Sequence, residues 1–400
     1  MWGTRLNDLN MAAFWAGLTA YVWYAFGALP LHLEVAASLG LSRAESSSWI
    51  FIIWFASAAV TVGLSLYYRQ PIPITWTIPG MIYLGTLAGK FTFPEIAGAN
   101  LMAGIAIVVL GLLGIGERIM VWLPLPIVMG MFGGSILVYV TRMVAATVSD
   151  VLVAGVTLGA YLAGRFIASP KVPPMGLAIV VGGVAVFLFG DTAPGAISFA
   201  FPDLGYPGMD FSFAAFVAVS LPMIILAMGL GNVQGLGFLI AQEYPVPVAR
   251  ITIVTGVNSI VNAFLGGHAS TVARTGAAIL AGPEAGPKEG RYWAATIAAV
   301  LTVTIALGAG TLTSLLVALP RTFVVTLAGL AILSSLQGAL ETAFGGKLRF
   351  GALVALAVAA TPFSVLGITS GFWALPAGVA VSALAERTDL FGYWRERSQK

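Results

Sequence analysis

His268, Ser270, Thr271 and Arg274 stand close together in a chain that is otherwise almost wholly apolar. Hydroxyls, a guanidinium and the free N–H groups of a helix start are donors for an anion, and an imidazole exchanges protons near neutrality. The surrounding stretch, Phe264 to Ala285, has glycines at 266, 267, 276 and 282 and a proline at 283. These bracket a helix too short to cross a bilayer: Thr271 to Leu280 would span ~15 Å, against a hydrocarbon core of about 30 Å. Gly266 to Ser270 cannot form a good helix, and non-helical backbone at membrane depth survives only where protein or a water-filled cavity satisfies it. Ser270 or Thr271 is expected to cap the half-helix, with Val272 beside them and the positive dipole end turned into the cavity. Arg274, expected about one turn in, leans back toward the same space. A cation has the wrong sign for that helix end unless an anion visits. Two other uses stay open: Arg274 as partner of an intramembrane carboxylate such as Glu34, or snorkelling outward.

The elements that must position this cluster are transmembrane helices. With 59% hydrophobic and 9% charged residues, the chain reads as an all-α polytopic membrane protein rather than a soluble enzyme. Met1 to Asn10 is short and polar, so no cleavable leader is expected ahead of the first apolar run. Zero cysteines exclude disulfides, thiol catalysis and cysteine-ligated metal. His32 and His268 are too few for a histidine cluster, so no metal and no cofactor is expected. The net charge of +3 calls for no nucleic-acid partner, because topology accounts for the basic residues.

Apolar segments divide the chain into fourteen expected spans, near 11–38, 45–68, 79–91, 95–115, 119–142, 147–166, 174–190, 212–241, 249–265, 271–281, 291–309, 313–339, 350–368 and 369–386. Prolines interrupt the first (Pro30), fifth (Pro124, Pro126) and twelfth (Pro320). With both termini cytoplasmic, most basic residues fall inside, from Arg5, Arg69, Arg118 and Arg165 through Lys171 and Arg250 to Arg397 and Lys400. Only Arg43, Lys90 and Arg142 fall outside, a positive-inside bias. The acidic connection at 191–211 suits an external loop between a first repeat, 1–190, and a second, 212–400. Ile72 to Gly80, extended and then helical, matches the Gly266 to Leu280 stretch, and Leu123-Pro124 matches Leu319-Pro320. Seven is odd, so the second repeat is inverted. Paired short segments in inverted repeats point to a transport site at the midplane.

Other candidates join the cluster. Trp76 and Thr77 precede the third half-helix, where Pro79 sacrifices no needed N–H and Gly80 follows. Trp76 is either a stacking partner for an aromatic ring or a packed interfacial residue. Asn232 and Gln234 in span eight either bind ligand or tie neighbouring helices. Tyr24 and Phe26 either line the cavity or pack. His268 and Glu34 are the candidates for proton coupling.

The chain resembles the benzoate:proton symporter (BenE) family. The matching residues include Gly63 to Arg69 with Pro71 and Trp76 to Gly80, then Glu117-Arg118, Leu123-Pro124 and Pro126. Further on they include Pro222 and Asn232, Phe264 with Gly266-Gly267, and Gly282-Pro283-Glu284-Ala285 with Arg291-Tyr292. The resemblance implies the seven-plus-seven inverted-repeat fold shared with nucleobase and sulfate permeases, with short strands before helices three and ten. It implies a core domain, spans 1–4 and 8–11, moving against a gate domain, spans 5–7 and 12–14, and an aromatic carboxylate substrate. Two departures bear on the substrate. Leu230-Gly231-Asn232 stands where the benzoate-type pattern has Ser-Gln-Asn, and His268 to Arg274 replaces Phe-Ala-Ile-Asn-Leu-Ala-Ala, an Arg here being more like sulfate permeases. No C-terminal regulatory domain of the sulfate permease kind is expected after span fourteen.

The expected function is secondary import of a small organic anion, benzoate or a similar aromatic carboxylate, by proton symport with an elevator-like movement in the inner membrane. The partners are the anion, protons and the lipid bilayer, with a homodimer possible. An inorganic-anion carrier or exchanger and an anion channel are the alternatives. An intramembrane enzyme finds no His-Glu-x-x-His or Gly-x-Ser-x-Gly motif here.

Overall fold

Away from water only a helix or a closed barrel bonds all of its own backbone groups, and this chain takes the helical solution. The structure, a computed structural model, describes residues 6–114, 123–167, 173–190, 198–365 and 368–398. Arg5, Glu117, Arg118, Lys171, Lys400, the start of the fifth expected span and the first part of the 191–211 connection lie outside them. Seven described helices are long and apolar enough to cross a membrane: α1 (Met11–Ser38), α2 (Arg43–Tyr68), α4 (Phe93–Leu113), α5 (Leu125–Ser149), α8 (Phe213–Ala241), the helix Lys288–Leu307, whose α-helical part is α11 (Arg291–Leu307), and α13 (Arg321–Phe344). Shorter apolar helices are α6 (Val151–Ile167), α7 (Pro174–Phe189), α9 (Val248–Ala263), α14 (Arg349–Ala360) and α15 (Ser370–Ala385). Two half-helices of eight residues, α3 (Ile78–Gly85) and α10 (Arg274–Ala281), complete the interior. α12 (Ala309–Ala318) and a terminal α16 (Arg387–Ser398) follow α11 and α15.

Local sequence explains several ends. α2 starts with a capping box of Ser42 and Glu45, and α4 with one of Thr92 and Glu95. Pro124 and Pro320 sit just ahead of α5 and α13, so Pro320 starts a helix instead of interrupting one. Pro30 lies inside α1.

The half-helices meet at a two-stranded antiparallel ribbon, β1 (Ile74–Trp76) with β2 (Ser270–Val272), in which Thr75 faces Thr271. Ser270 to Val272 is therefore strand, and α10 begins three residues later than the expected 271. The ribbon is closed by a reciprocal pair of bonds. Thr77 N–H, leaving β1, donates to the Ala269 carbonyl ahead of β2, and Ala273 N–H, leaving β2, donates to the Pro73 carbonyl ahead of β1, both at 2.9 Å. The inverted repeat is thus visible at the level of single bonds.

A bare ribbon would leave two edges unsatisfied at membrane depth. Side chains from flanking helices close them. On the β1 edge, Thr61 Oγ1 accepts from Ile74 N–H at 2.8 Å and donates to its carbonyl at 2.9 Å. On the β2 edge, Ser259 Oγ accepts from Ser270 N–H and Asn232 Oδ1 from Val272 N–H, each at 2.8 Å.

Around this centre α4 packs on α9, and α2 and α1 pack on α11; elsewhere α5 packs on α13 and α14, and α14 on α15. Without water to drive burial, such contacts depend on close approach. Gly130 and Gly134, four apart on α5, lie against the Ala352 and Leu356 carbonyls, where any Cβ would collide.

Candidate functional site

The two half-helices start at the ribbon but present different chemistry. At α3, Thr77 Oγ1 accepts from Gly80 N–H at 3.2 Å, and Pro79 removes another donor. That end is closed. At α10 the N-cap position is Ala273, whose methyl cannot accept a hydrogen bond, and no side chain among the described residues caps the helix. Its first-turn N–H groups therefore keep the positive end of the helix dipole uncovered.

Ser270 and Thr271 do not cap α10, contrary to the sequence expectation. Both lie in β2, and their hydroxyls are used elsewhere. Ser270 Oγ accepts from Asn258 and Asn262 at 2.7 and 3.0 Å. Thr271 Oγ1 donates to the Ala227 carbonyl at 2.9 Å and lies 3.1 Å from Asn232 Oδ1. Asn232, whose Nδ2 reaches Thr255 Oγ1 at 3.3 Å, ties α8 and α9 to the ribbon. Val272 is fully buried. Arg274 is the first residue of α10 instead of lying a turn in, and it is exposed together with Ala278, one turn on. It is not the partner of Glu34, which faces Arg142 at 3.8 Å and accepts from Ser38 Oγ at 3.1 Å.

Tyr24 is brought to α10: its hydroxyl lies where a Cβ on Gly276 would collide with it. It also lines a cavity of about 20 Å³ between α1, α2, β1, α10 and α11, with Trp54, Ser57, Thr61, Trp76 and Leu280. That volume holds one water, for which about 10–15 Å³ suffices, and not an aromatic acid. Tyr24 Oη, Trp54 Nε1, Ser57 Oγ and Trp76 Nε1 are all buried without a hydrogen-bond partner. All four can donate.

Trp76 packs within the protein: its ring centroid is 4.3 Å from that of Trp54, tilted at 45°, and 5.0 Å from that of His32, edge to face. His32 and His268, too few for a cluster by count, are joined through Trp49, whose Nε1 donates to His268 Nδ1 at 3.1 Å and whose ring lies 5.7 Å from that of His32. His268 Nε2 is buried and unpartnered. No group of three or more metal-ligating side chains occurs among the described residues. Phe26 is 39% exposed and lines no part of the cavity, so the structure does not bring it to the site. Gln234 is half-buried on α8, and Gly80 packs under Met223.

Sequence reasoning missed Trp54, Ser57 and Thr61. The signal was present: with Ser65 they fall three or four residues apart along one face of α2, a polar stripe in an apolar helix. α9 carries a matching stripe, Thr255, Asn258, Ser259 and Asn262.

Comparison with known proteins gives concordant results. Residues 7–384 match the family described as the benzoate membrane transport protein, BenE. The inner membrane protein YdcO of Escherichia coli is 30% identical over 390 residues, covering 96% of this chain and 99% of that protein. The benzoate membrane transport protein of Acinetobacter baylyi is 26% identical over 379 residues, covering 94% and 95%. Among solved structures, the transmembrane domain of a cyanobacterium bicarbonate transporter, BicA, superposes with a TM-score of 0.60 at 17% identity, covering 97% of this chain and 98% of that one. The murine anion transporter Slc26a9, in its inward-facing state, gives 0.64 at 14% identity, covering 96% and 69%. These two likenesses establish the shared fold.

Proposed function

Because the chain belongs to the BenE family of benzoate membrane transport proteins, we propose that this membrane anion transporter carries an aromatic monocarboxylate of the benzoate type. One observation carries the reading: α10 starts without a cap, with Arg274 exposed at its first position. A carboxylate there would receive N–H groups, a guanidinium and the Tyr24 hydroxyl, and it would reverse the mismatch between Arg274 and the helix dipole. Import is coupled to protons, with His268 and Glu34 as the titrating candidates. Spans 1–4 and 8–11 move as a core against a gate of spans 5–7 and 12–14, in an inner membrane with both termini cytoplasmic. The E. coli relative's description as an inner membrane protein and the charge distribution support that placement.

A small inorganic anion is the second reading. Leu230 and Gly231 favour it, since they offer no polar side chain beside Asn232.

A thermal-shift panel on detergent-purified protein separates the two, because a ligand that binds the native state raises its melting temperature with concentration. Benzoate and salicylate are expected to stabilise the native chain and not Arg274→Ala. Stabilisation by sulfate or bicarbonate alone moves the reading to the second class. No stabilisation by any of these, together with no carboxylate uptake into liposomes under a proton gradient, ends it.

A further inference from the structure

Glu34 is the carboxylate that α1 carries deep in the protein, and it is 2% exposed. Its contacts fall on one oxygen: Ser38 donates to Oε1 at 3.1 Å, and Arg142 approaches the same oxygen at 3.8 Å. Arg142 belongs to α5, across the boundary between the proposed core and gate, and its side chain is 46% exposed. α3 is held on the same side of the ribbon. Tyr139, one turn before Arg142, donates to the Ile82 carbonyl at 3.1 Å. Tyr83 donates to the Ala218 carbonyl at 2.6 Å and lies 3.4 Å from Thr369 Oγ1. Residues 80–85 are buried throughout, while α10 leaves Arg274 and Ala278 exposed. The protein is shut around α3 and open along α10.

From this geometry we infer that Glu34 is the proton-binding latch of the transport cycle. Ionised, it pairs with Arg142 and holds the gate closed over α3; protonated, it loses the charge that Arg142 answers and releases that side. The inference rests on the proposed proton-coupled transport. It assigns the proton to the α3 side, which the distribution of basic residues puts outside, while the anion site lies at α10.

The neighbouring charges leave Glu34 to this role. Arg142 and Tyr139 of α5 and Arg321 at the start of α13 are the groups that act on it. On α1, His32 Nδ1 is engaged with the Ala28 carbonyl. Arg43 at the start of α2 bonds Ser198 and the Gly310 carbonyl, and Glu45 closes its own capping box. Arg291 of α11 bonds the Gly286 and Ala281 carbonyls. A carboxylic acid keeps acceptor capacity and gains a donor, so protonation need not break the Ser38 bond.

The chain has no cysteine, so a single introduced thiol reports each side directly. Val35→Cys, fully buried against Gly85, reports the α3 side, and Ala278→Cys the α10 side. In proteoliposomes, with rates corrected for thiol ionisation against unfolded protein, Val35→Cys is expected to react slowly at neutral pH. Acidification should speed it at least about five-fold, the lower end for an energetic coupling, and slow Ala278→Cys. Adding Glu34→Gln should give the fast Val35→Cys rate at both pH values; adding Arg142→Gln should give it at neutral pH. Unchanged rates and an unchanged pH response in Glu34→Gln would overturn the latch. Should that variant not fold, a wild-type rate in Arg142→Gln, whose side chain is half-exposed, overturns it equally. Benzoate binding measured on the same preparations tests the transport reading separately. Ligand binding with an unresponsive latch removes only the latch; a responsive latch without carboxylate binding removes only the substrate.

Discussion

α3 and α10 are related by the inverted repeat, have the same length and begin at the same ribbon, yet one is sealed and the other is left open. Thr77 caps α3, Pro79 removes a donor, and α5 and α8 supply partners for Ile82 and Tyr83. Ala273 cannot cap α10, and Arg274 stands exposed on it. The difference teaches where to look for function in a symmetric scaffold. Symmetry builds the frame, and the place where one copy omits its cap is where the proposed function puts the ligand.

Removing the charge should break the contrast most severely. Arg274→Ala is expected to weaken carboxylate binding about 10- to 100-fold, the range of a hydrogen bond to a charged group, with little change in unliganded melting temperature because the side chain is exposed. Titrating benzoate against thermal stability checks both halves of that statement.

Crowding the two helix starts should sharpen it. Gly276→Ala places a methyl on the Tyr24 hydroxyl and is expected to destabilise by about 1–3 kcal/mol and to weaken binding with it. Gly80→Ala meets Thr77 and the flexible Met223 thioether, and it should leave affinity closer to wild type. Denaturation and ligand titration on the pair test this.

Exchanging the caps comes next in size. Ala273→Ser gives α10 what Thr77 gives α3, so it should stabilise by about 0.5–2 kcal/mol and lower anion affinity, a rise in stability with a fall in binding. Thr77→Ala should cost stability by a similar amount and leave the anion site in place. If Ala273→Ser binds carboxylate as tightly as wild type, the open helix end is not the site.

The smallest effect concerns a third helix start. α14 has no cap of its own, and Glu386 at the end of α15 supplies one from outside, accepting from Phe350 and Gly351 N–H at 2.9 Å and from Ser382 Oγ at 2.8 Å. Partial burial pushes its carboxyl up, but these bonds outweigh burial and hold it below the usual carboxylate range. A depressed folded-state value means stability present above the unfolded value of about 4.3 and lost as pH falls through the folded one. Glu386→Gln should therefore flatten the acid limb of the melting-temperature profile and lie below wild type at neutral pH.

Much of this was legible in the sequence because the signals were local. Glycine and proline around 266–283 marked a helix too short to span, and Ile72 to Gly80 marked its counterpart. The misreadings came from partners remote in sequence. Ser270 and Thr271 look like N-caps, yet a ribbon edge at membrane depth had the stronger claim on them, because Asn258, Asn262 and Asn232 arrive from other helices. The approach of Arg142 to Glu34 is silent in the sequence, because the two stand on α5 and α1. The three-residue strands carry too few residues for any periodicity; the family resemblance implied them, and the pairing of Ile74–Trp76 with Ser270–Val272 shows them.

The reciprocal bonds from Thr77 to Ala269 and from Ala273 to Pro73 have a mechanical consequence. Each half-helix is anchored by a bond from its first turn's threshold to the strand that launches the other, so neither can tilt alone without rupturing both. The pair is a rivet, and displacement must carry it whole. Strain entering at one end is then borne at the other without crossing any intervening helix, and the Thr77 and Ala273 amides should be among the last in the molecule to exchange their hydrogens with solvent.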